Sequence, residues 1–352
     1  MKNHSVLSNL LFIPLSGLYT LGVTFRHLLY DQRLLLSHSV SVPTVCVGNL
    51  AVGGTGKTPM VEYVVRLLLD NGFHPAVLSR GYKRKTHGFV LADATSTAAT
   101  IGDEAMQMHR KFPEVPVAVC ERRVHGVHQL QRQIKNLDVV ILDDAFQHRA
   151  IRCGLYVLMT PYDNLYIDDH MLPWGTLRDL PIRALKADAI VVTKCPPDMK
   201  PIDMRVVDNR LHLPTFQTLH FASLEQPQME QEGQPLVVTG IAQPKYMMEY
   251  VQKYYPKAEL MAFSDHHNFS EKDIEAIMQR AAKFDFVLTT EKDMQRLRLT
   301  SLNERLAAQN KRLIALPTTM HFLSDPTAFD RQLLTYVREN CAKHNKGERA
   351  NG

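Results

Sequence analysis

Cysteine is scarce and poorly arranged for bridging: Cys46, Cys120, Cys153, Cys195 and Cys341 are five, an odd number with no C-x-x-C pair. That excludes a disulfide framework and a paired-cysteine zinc knuckle, and it points to a reducing compartment. A strong charge of one sign is missing too. The formal net charge is only +5, and no base-reading motif accompanies it, so nucleic acid is not an expected partner. A surplus this mild suits a phosphorylated ligand or an acidic lipid surface. There is no internal repeat and no long low-complexity block. With 45% hydrophobic and 22% charged residues, a chain of 352 residues is expected to fold, and it is long enough for two domains.

One local absence is more telling. From Ser5 to Phe25 there is no Asp, Glu, Lys or Arg, while Leu, Phe, Ile, Val and Tyr abound. A cleaved signal peptide is disfavoured because Leu-rich sequence continues past Arg26. A transmembrane helix is diluted by Asn9, Pro14, Ser16, Gly17 and Thr20, and an ordinary packed helix is the plain alternative. The preferred expectation is an interfacial helix within residues 1–35, apolar on one side and followed by Arg26, His27 and Arg33, which can meet anionic headgroups.

Beyond it, short apolar runs alternate with amphipathic stretches. Strands are expected at Thr44–Val47, Ala76–Ser79, Val115–Val119, Val139–Leu142, Tyr156–Met159 and Ala189–Thr193. Helices are expected at Pro59–Asp70, Asp103–Lys111, Arg123–Lys135 and Arg178–Lys186. Buried strands alternating with helices specify a parallel sheet covered on both faces. Residues 203–235, with Pro214, Pro227 and Pro235, break the rhythm and read as a connector with a hairpin around Thr215–Ser223. Alternation then resumes over 236–341, and the polar tail 342–352 is expected to fray. The fold class is therefore a P-loop NTPase-like, doubly wound α/β/α sandwich over 36–202 with a second, smaller α/β/α domain.

The motif with the most chemistry is Ala51-Val52-Gly53-Gly54-Thr55-Gly56-Lys57-Thr58, between an expected strand and helix. Residues without side-chain bulk let successive backbone N–H groups turn inward around phosphate oxygens, and the following helix N-terminus adds positive potential. Lys57 is spaced to reach the terminal phosphates and the Thr58 hydroxyl to bind Mg²⁺. Val139–Asp144 is an apolar strand ending in Asp143 and Asp144, placed to hold Mg²⁺ or its water shell. Guanine recognition would need an Asn/Thr-Lys-x-Asp strand end. Thr193-Lys194-Cys195-Pro196 lacks the Asp, so ATP is the expected nucleotide. Partition and metallochaperone ATPases share the glycine doublet, but their signature lysine would fall at Val52. A membrane-anchored nucleotide-binding adaptor is a third possibility on motifs alone. Arg80, Arg123 and Arg178 are candidates to contact phosphate, since a guanidinium fork fits those oxygens.

The longer run Val47–Pro59 is more specific, and with Ser79-Arg80-Gly81-Tyr82, Gly102-Asp103-Glu104, Asp143–His148, Leu172–Asp179, Thr239–Pro244, Phe263–His267 and Thr289–Asp293 it resembles the tetraacyldisaccharide 4′-kinases, the lipid A 4′-kinase family. The likeness spans nearly the whole chain. Ala145, Phe146 and Asp179 depart from residues the family often has, namely Gly, Leu and Glu. The resemblance implies an ATP- and Mg²⁺-dependent kinase acting on the 4′-hydroxyl of an acylated glucosamine disaccharide 1-phosphate. It also implies a lipid A disaccharide precursor and the inner-membrane surface as partners, with the protein on the cytoplasmic face of the bacterial inner membrane and no obligate protein partner.

By the same resemblance Asp103 is the catalytic carboxylate, tuned by His266; Lys57, placed by the motif itself as the charge clamp, is the third catalytic residue. Gln147 and His148 lie near the nucleotide or metal. On residues alone, Gly102-Asp103-Glu104 is an ordinary helix start, and His266-His267 is a loop pair without further ligands for zinc. Thr290-Glu291-Lys292-Asp293 sits at a strand end facing the expected interdomain cleft, its role open.

Overall fold

The computed structural model describes residues 6–351. The first five residues of the expected interfacial segment, and Gly352 of the expected tail, lie outside them. One sheet has nine strands, in the order Thr319–Phe322, Thr218–Glu225, Ala189–Thr193, Leu155–Pro161, Thr44–Asn49, Val139–Asp143, Pro75–Ser79, Val117–Val119 and Val90–Leu91. Neighbours are parallel except at the two edges, where Thr319–Phe322 and Val90–Leu91 run antiparallel.

The alternation of side chains explains the two covered faces. Val45, Val47, Val139, Ile141, Val157 and Met159 point to one side, against Met60, Val64 and Leu68 of helix Lys57–Asp70. Cys46, Val140, Leu142, Tyr156 and Leu158 point to the other, against Val127 and Leu130 of helix Arg123–Gln133. From Thr44–Asn49 the chain moves outward to Pro75–Ser79 and Val117–Val119. It returns to insert Val139–Asp143, then crosses to Leu155–Pro161 on the opposite side. Strand direction reverses its spread around Thr44–Asn49, and the crevice beyond the carboxyl ends at such a point is where ligands bind.

The second sheet has four parallel strands, in the order Glu259–Ala262, Pro235–Thr239, Phe286–Thr290 and Leu313–Leu316. Helix Glu271–Ala281 covers one face through Ile274 and Ile277, and helix Pro244–Tyr254 covers the other through Met247 and Val251.

Several expectations need correction. Residues 203–235 are not a connector with a hairpin. They carry most of helix Pro201–Leu211 and a full parallel strand, Thr218–Glu225, of the large sheet. The prolines that suggested a linker lie outside or at the edges of these elements, where they are tolerated: Pro214 follows the helix, Pro227 follows the strand, and Pro235 opens the next strand. The strand was obscured by polar residues at its buried positions, His220 and Ser223 among them. The expected helix Arg178–Lys186 is only a 3₁₀ turn, Pro181–Lys186, because Pro181 holds Leu180 in an extended conformation. The unit expected to run to 341 hands the chain back to the large sheet after Leu316. Phe322, Phe329, Leu333 and Val337 pack beside the helix Lys57–Asp70. The expected fraying from Ala342 is not seen: helix Pro326–Asn351 runs through it.

Helix Val6–Asp31 lies against the large sheet's loops. No helix among the described residues is long and apolar enough to cross a membrane. Leu11, Leu18, Leu21, Phe25 and Leu28 are exposed along one side, whereas the buried members are polar, Ser16 and His27. Ser16 donates to Met171 O at 2.8 Å, and His27 Nε2 meets Asp179 Oδ1 at 2.5 Å. His27 therefore does not face outward toward headgroups as expected, and Arg26 donates to Gln147 O at 2.9 Å.

Candidate active site

Residues 51–58 form the turn between strand Thr44–Asn49 and helix Lys57–Asp70. Gly53 and Gly56 take φ of 108° and 87°, a region that a side chain opposes, so the composition is required by the path of the backbone. The turn is tied down from behind. Asn49, fully buried, donates from Nδ2 to Thr55 Oγ1 at 2.9 Å, and Thr193 Oγ1 donates to Thr55 O at 2.8 Å. Segment 171–178 flanks it, with Val52 N donating to Thr176 O and Arg178 N to Leu50 O, both at 2.8 Å. Val52, Gly53 and Gly54 remain exposed. The result is a tied-down turn whose residues line the cleft.

Two carboxylates follow on the adjacent strand. Asp144 has φ of 50°, a strained value for a residue other than Gly, and its carboxylate takes both guanidinium nitrogens of Arg178, one at 3.0 Å. Lys57 Nζ lies 3.9 Å from Asp144 Oδ1 and 3.4 Å from Asn49 Oδ1, which also accepts from Arg178 at 2.8 Å. Burial alone would raise Asp144, but the Lys57 and Arg178 cations outweigh it and hold the carboxyl at about 2. Asp143 behaves oppositely. Burial, then the neighbouring Glu104 and Asp144 carboxylates, push it up to about 7 against the pull of Lys57 and Arg123. Its Oδ1 is buried without a hydrogen-bond donor. Arg123 is almost fully buried and donates to Cys120 O at 2.7 Å, and burial pushes its guanidinium below the usual range.

The third group joins the two sheets. Gly102, with φ of 88°, precedes helix Asp103–Lys111 and aims Asp103 into the cleft. Asp103 is 4% exposed. Its Oδ2 receives His266 Nδ1 at 2.9 Å and lies 3.5 Å from Arg296 Nε, while Glu104 N donates to Oδ1 at 2.9 Å. Burial opposes ionisation here, yet the His266 hydrogen bond and the Lys292 and Arg296 charges together hold the carboxyl below its usual range. His266 also stands at positive φ, 54°.

The catalytic, nucleotide, metal and substrate candidates from sequence line one cleft: Ala51–Thr58, Arg80, Asp103, Arg123, Asp143, Asp144, Gln147, His148, Arg178 and His266. Within it, Arg80 is exposed, and Gln147 Nε2 is bound to Asn49 O. His148 is pushed down to about 4, first by burial and then by Arg123, Arg26 and Arg80, so its ring is neutral. Sequence reasoning gave no role to Asn49, although it stands in the most specific run. It also missed Arg296, which no motif announced, and left Lys292 unassigned. The signal for Lys292 was only its place at a strand end.

Residues 8–338 match the family described as Tetraacyldisaccharide-1-P 4′-kinase. The tetraacyldisaccharide 4′-kinase of Bacteroides thetaiotaomicron is 41% identical over 381 residues, covering 100% of this chain and 99% of that protein. That of Flavobacterium johnsoniae is 40% identical over 349 residues, 96% of this chain and 99% of its own. Among solved structures, LpxK from Aquifex aeolicus in complex with ATP superposes with a TM-score of 0.69 at 25% identity, covering 92% of this chain and 98% of that one.

Proposed function

The chain belongs to the tetraacyldisaccharide 4′-kinase family and is an ATP-using lipid A 4′-kinase, and from that premise we propose that Asp103 is the group that receives the proton of the sugar's 4′-hydroxyl. The observation that carries the reading is a single one: Asp103, its carboxylate held by His266, lines the same cleft as residues 51–58. On this reading the 4′-oxygen forms its bond to the γ-phosphorus as its proton passes to Asp103. The bond from that phosphorus to the bridging oxygen breaks, and the electron pair leaves on the ADP β-phosphate, where Lys57 and the 51–58 amides meet the charge. Phosphoryl transfer through a loose transition state asks little of its base, so a carboxylate held below its usual range suffices. Arg80, Arg123 and Arg178 are the cations for ATP phosphates or the substrate 1-phosphate.

The residues fit Mg²⁺. Asp143 offers a buried oxygen without a donor, and the Thr58 hydroxyl shares its cleft. Among the described residues no three His, Cys, Asp or Glu converge on one point, which suits an ion that binds through one or two protein oxygens plus phosphate and water. Asp143 and Thr58 would hold it, with Asp144 joining them by loosening its clasp on Arg178. When bound, the ion would neutralise charge on the β- and γ-phosphates.

Membrane association rests on helix Val6–Asp31, whose buried members are the polar Ser16 and His27 while Leu11, Leu18, Leu21, Phe25 and Leu28 are exposed. An acylated substrate places the chemistry at a lipid surface, and the cytoplasmic face of the inner membrane is the site that also supplies ATP. We take the large sheet as the nucleotide-binding lobe and the four-stranded sheet as the lobe that brings His266. Replacing Asp103 by Ala tests the reading. Turnover should fall by at least about a hundredfold, the scale of general-base catalysis, with the ATP dissociation constant unchanged. Wild-type turnover would remove Asp103 from the chemistry.

A further inference from the structure

Strand Thr44–Asn49 is buried along its whole length, and side-chain alternation places Asn49 on the side of Val45 and Val47, under helix Lys57–Asp70. An apolar residue would suit that position. Asn49 instead brings a primary amide with no exposed surface, and burying one is costly unless its polar atoms are matched. Three residues that line the cleft match them. Nδ2 donates to Thr55 Oγ1 at 2.9 Å, and Oδ1 accepts from Arg178 Nη2 at 2.8 Å and from Lys57 Nζ at 3.4 Å. Chemistry fixes the orientation of the amide. Ammonium and guanidinium groups only donate, so the atom facing both is the oxygen, and the nitrogen faces Thr55.

The main chain at Asn49 is engaged as well, since Gln147 Nε2 donates to its carbonyl oxygen. A Cβ on Gly48 would stand 2.7 Å from Phe146 Cβ, so glycine is what lets the loop after Asp144 come this close. Asn49 is thus where strand, phosphate turn, lysine and the loop after the paired carboxylates meet.

We propose that Asn49 is a positioning residue that keeps Lys57 available to the phosphates, by giving its ammonium a neutral partner in place of a charged one. The two cations beside it are held differently. Arg178 is gripped, with Asn49 on one side and both Asp144 oxygens on the other. Lys57 is not. Its contact with Asn49 is longer than a firm hydrogen bond, and Asp144 Oδ1 is 3.9 Å away. Asn49 aims the ammonium, fixes Arg178 beside it and, through Thr55, ties both to the 51–58 turn. An ammonium and a carboxylate attract as full charges, more strongly than an ammonium and an amide oxygen, so Lys57 can leave Asn49 for a phosphate. A carboxylate at position 49 could keep every contact, since the Thr55 hydroxyl can turn its proton toward it, and would trap the lysine. The inference rests on the reading of Lys57 as the residue that meets the terminal phosphates.

Asn49→Asp and Asn49→Ala test it, the first changing charge with shape kept, the second removing the side-chain contacts. Calorimetric titration with ATP and Mg²⁺ gives the dissociation constant, and transfer assays give kcat/KM for ATP. Asn49→Asp should fold as wild type does by circular dichroism, yet lose at least about tenfold in kcat/KM for ATP, the scale of one hydrogen bond to a charged group. Asn49→Ala should weaken ATP binding about fivefold when Lys57 is present and less than about twofold in a Lys57→Ala background, because the effect passes through the lysine. A purely structural amide predicts otherwise. Wild-type kcat/KM in Asn49→Asp, or equal weakening by Asn49→Ala with and without Lys57, would overturn the proposal. Where one variant does not fold or bind, the other arm decides, and loss of the fold in both overturns it too. Wild-type transfer by Lys57→Ala would instead defeat the underlying reading of the lysine.

Discussion

Asp103, Asp143 and Asp144 lie in one cleft yet are held in different states by their neighbours. Asp144 is clasped by Arg178 and Lys57 and sits low, whereas Asp143 is buried with an undonated oxygen and sits high. Asp103 is held low by groups from the other lobe, which makes it a sensor of the contact between lobes. Its folded value lies below the unfolded one of about 3.9. The carboxylate therefore stabilises the fold fully above that unfolded value, and this contribution is lost as pH falls through the folded value. Asp103→Asn should accordingly lower Tm at pH 7 and at pH 5 by a similar amount, and the gap should shrink below pH 4. Calorimetry across that range checks it, and a gap that persists undiminished at pH 3 would show that Asp103 is not ionised in the native contact. At this scale the sequence was readable where spacing sets position, as for Lys57 and Thr58, which both line the cleft. Asn49 and Arg296 were not readable because their partners come from distant segments: Arg178 for one, Asp103 for the other.

Helix Val6–Asp31 is joined to the catalytic loops as well as to the surface of the protein. Ser16 holds Met171, His27 holds Asp179, and Arg26 holds Gln147, all in segments that flank residues 51–58. Its outer side exposes Leu18 at 66% and Leu21 at 67%. Leu18→Glu with Leu21→Glu should leave Tm within about 1 °C of wild type, since neither side chain is packed, but should sharply reduce co-sedimentation with vesicles of anionic lipid. Unchanged sedimentation would contradict the proposed membrane contact of this helix. Among elements, the central strands were legible because parallel strands buried on both faces are nearly continuous apolar runs. Thr218–Glu225 was not, because it carries His220 and Ser223 inward, and the His220 ring is kept neutral by burial among Phe322 and Phe329, pushed down to about 4. The expected helix at Arg178–Lys186 shrinks to a 3₁₀ turn because Pro181 lies inside it and holds Leu180 extended.

At the scale of the molecule, the chain builds the large sheet, leaves it after Glu225 for the four-stranded sheet, and comes back at Thr319 to pair with the strand it left. A reading that moves only forward along the sequence assigns that return to the wrong unit, which is why the second unit was drawn too long. The return fixes the two sheets against each other. So does a polar clamp in which Lys111 bridges Glu62 of the phosphate-loop helix and Glu291, each at 2.7 Å. Through it, helix Lys57–Asp70 and helix Glu291–Leu297, which carries Lys292, share one partner. Residues 51–58, which open into helix Lys57–Asp70, and the Asp103–His266 pair line one cleft, and on the proposed reading they are parts of a single site.

The most direct measurement of that claim uses γ-labelled ATP, Mg²⁺ and a tetraacyl disaccharide 1-phosphate in mixed micelles, following label into the lipid. Wild type should place label on the 4′-oxygen, Lys57→Ala should place none there, and Asp103→Ala should bind ATP normally while transferring at under about one hundredth of the wild-type rate. Label released only as free phosphate by the wild type, or undiminished transfer by Lys57→Ala, would contradict the account.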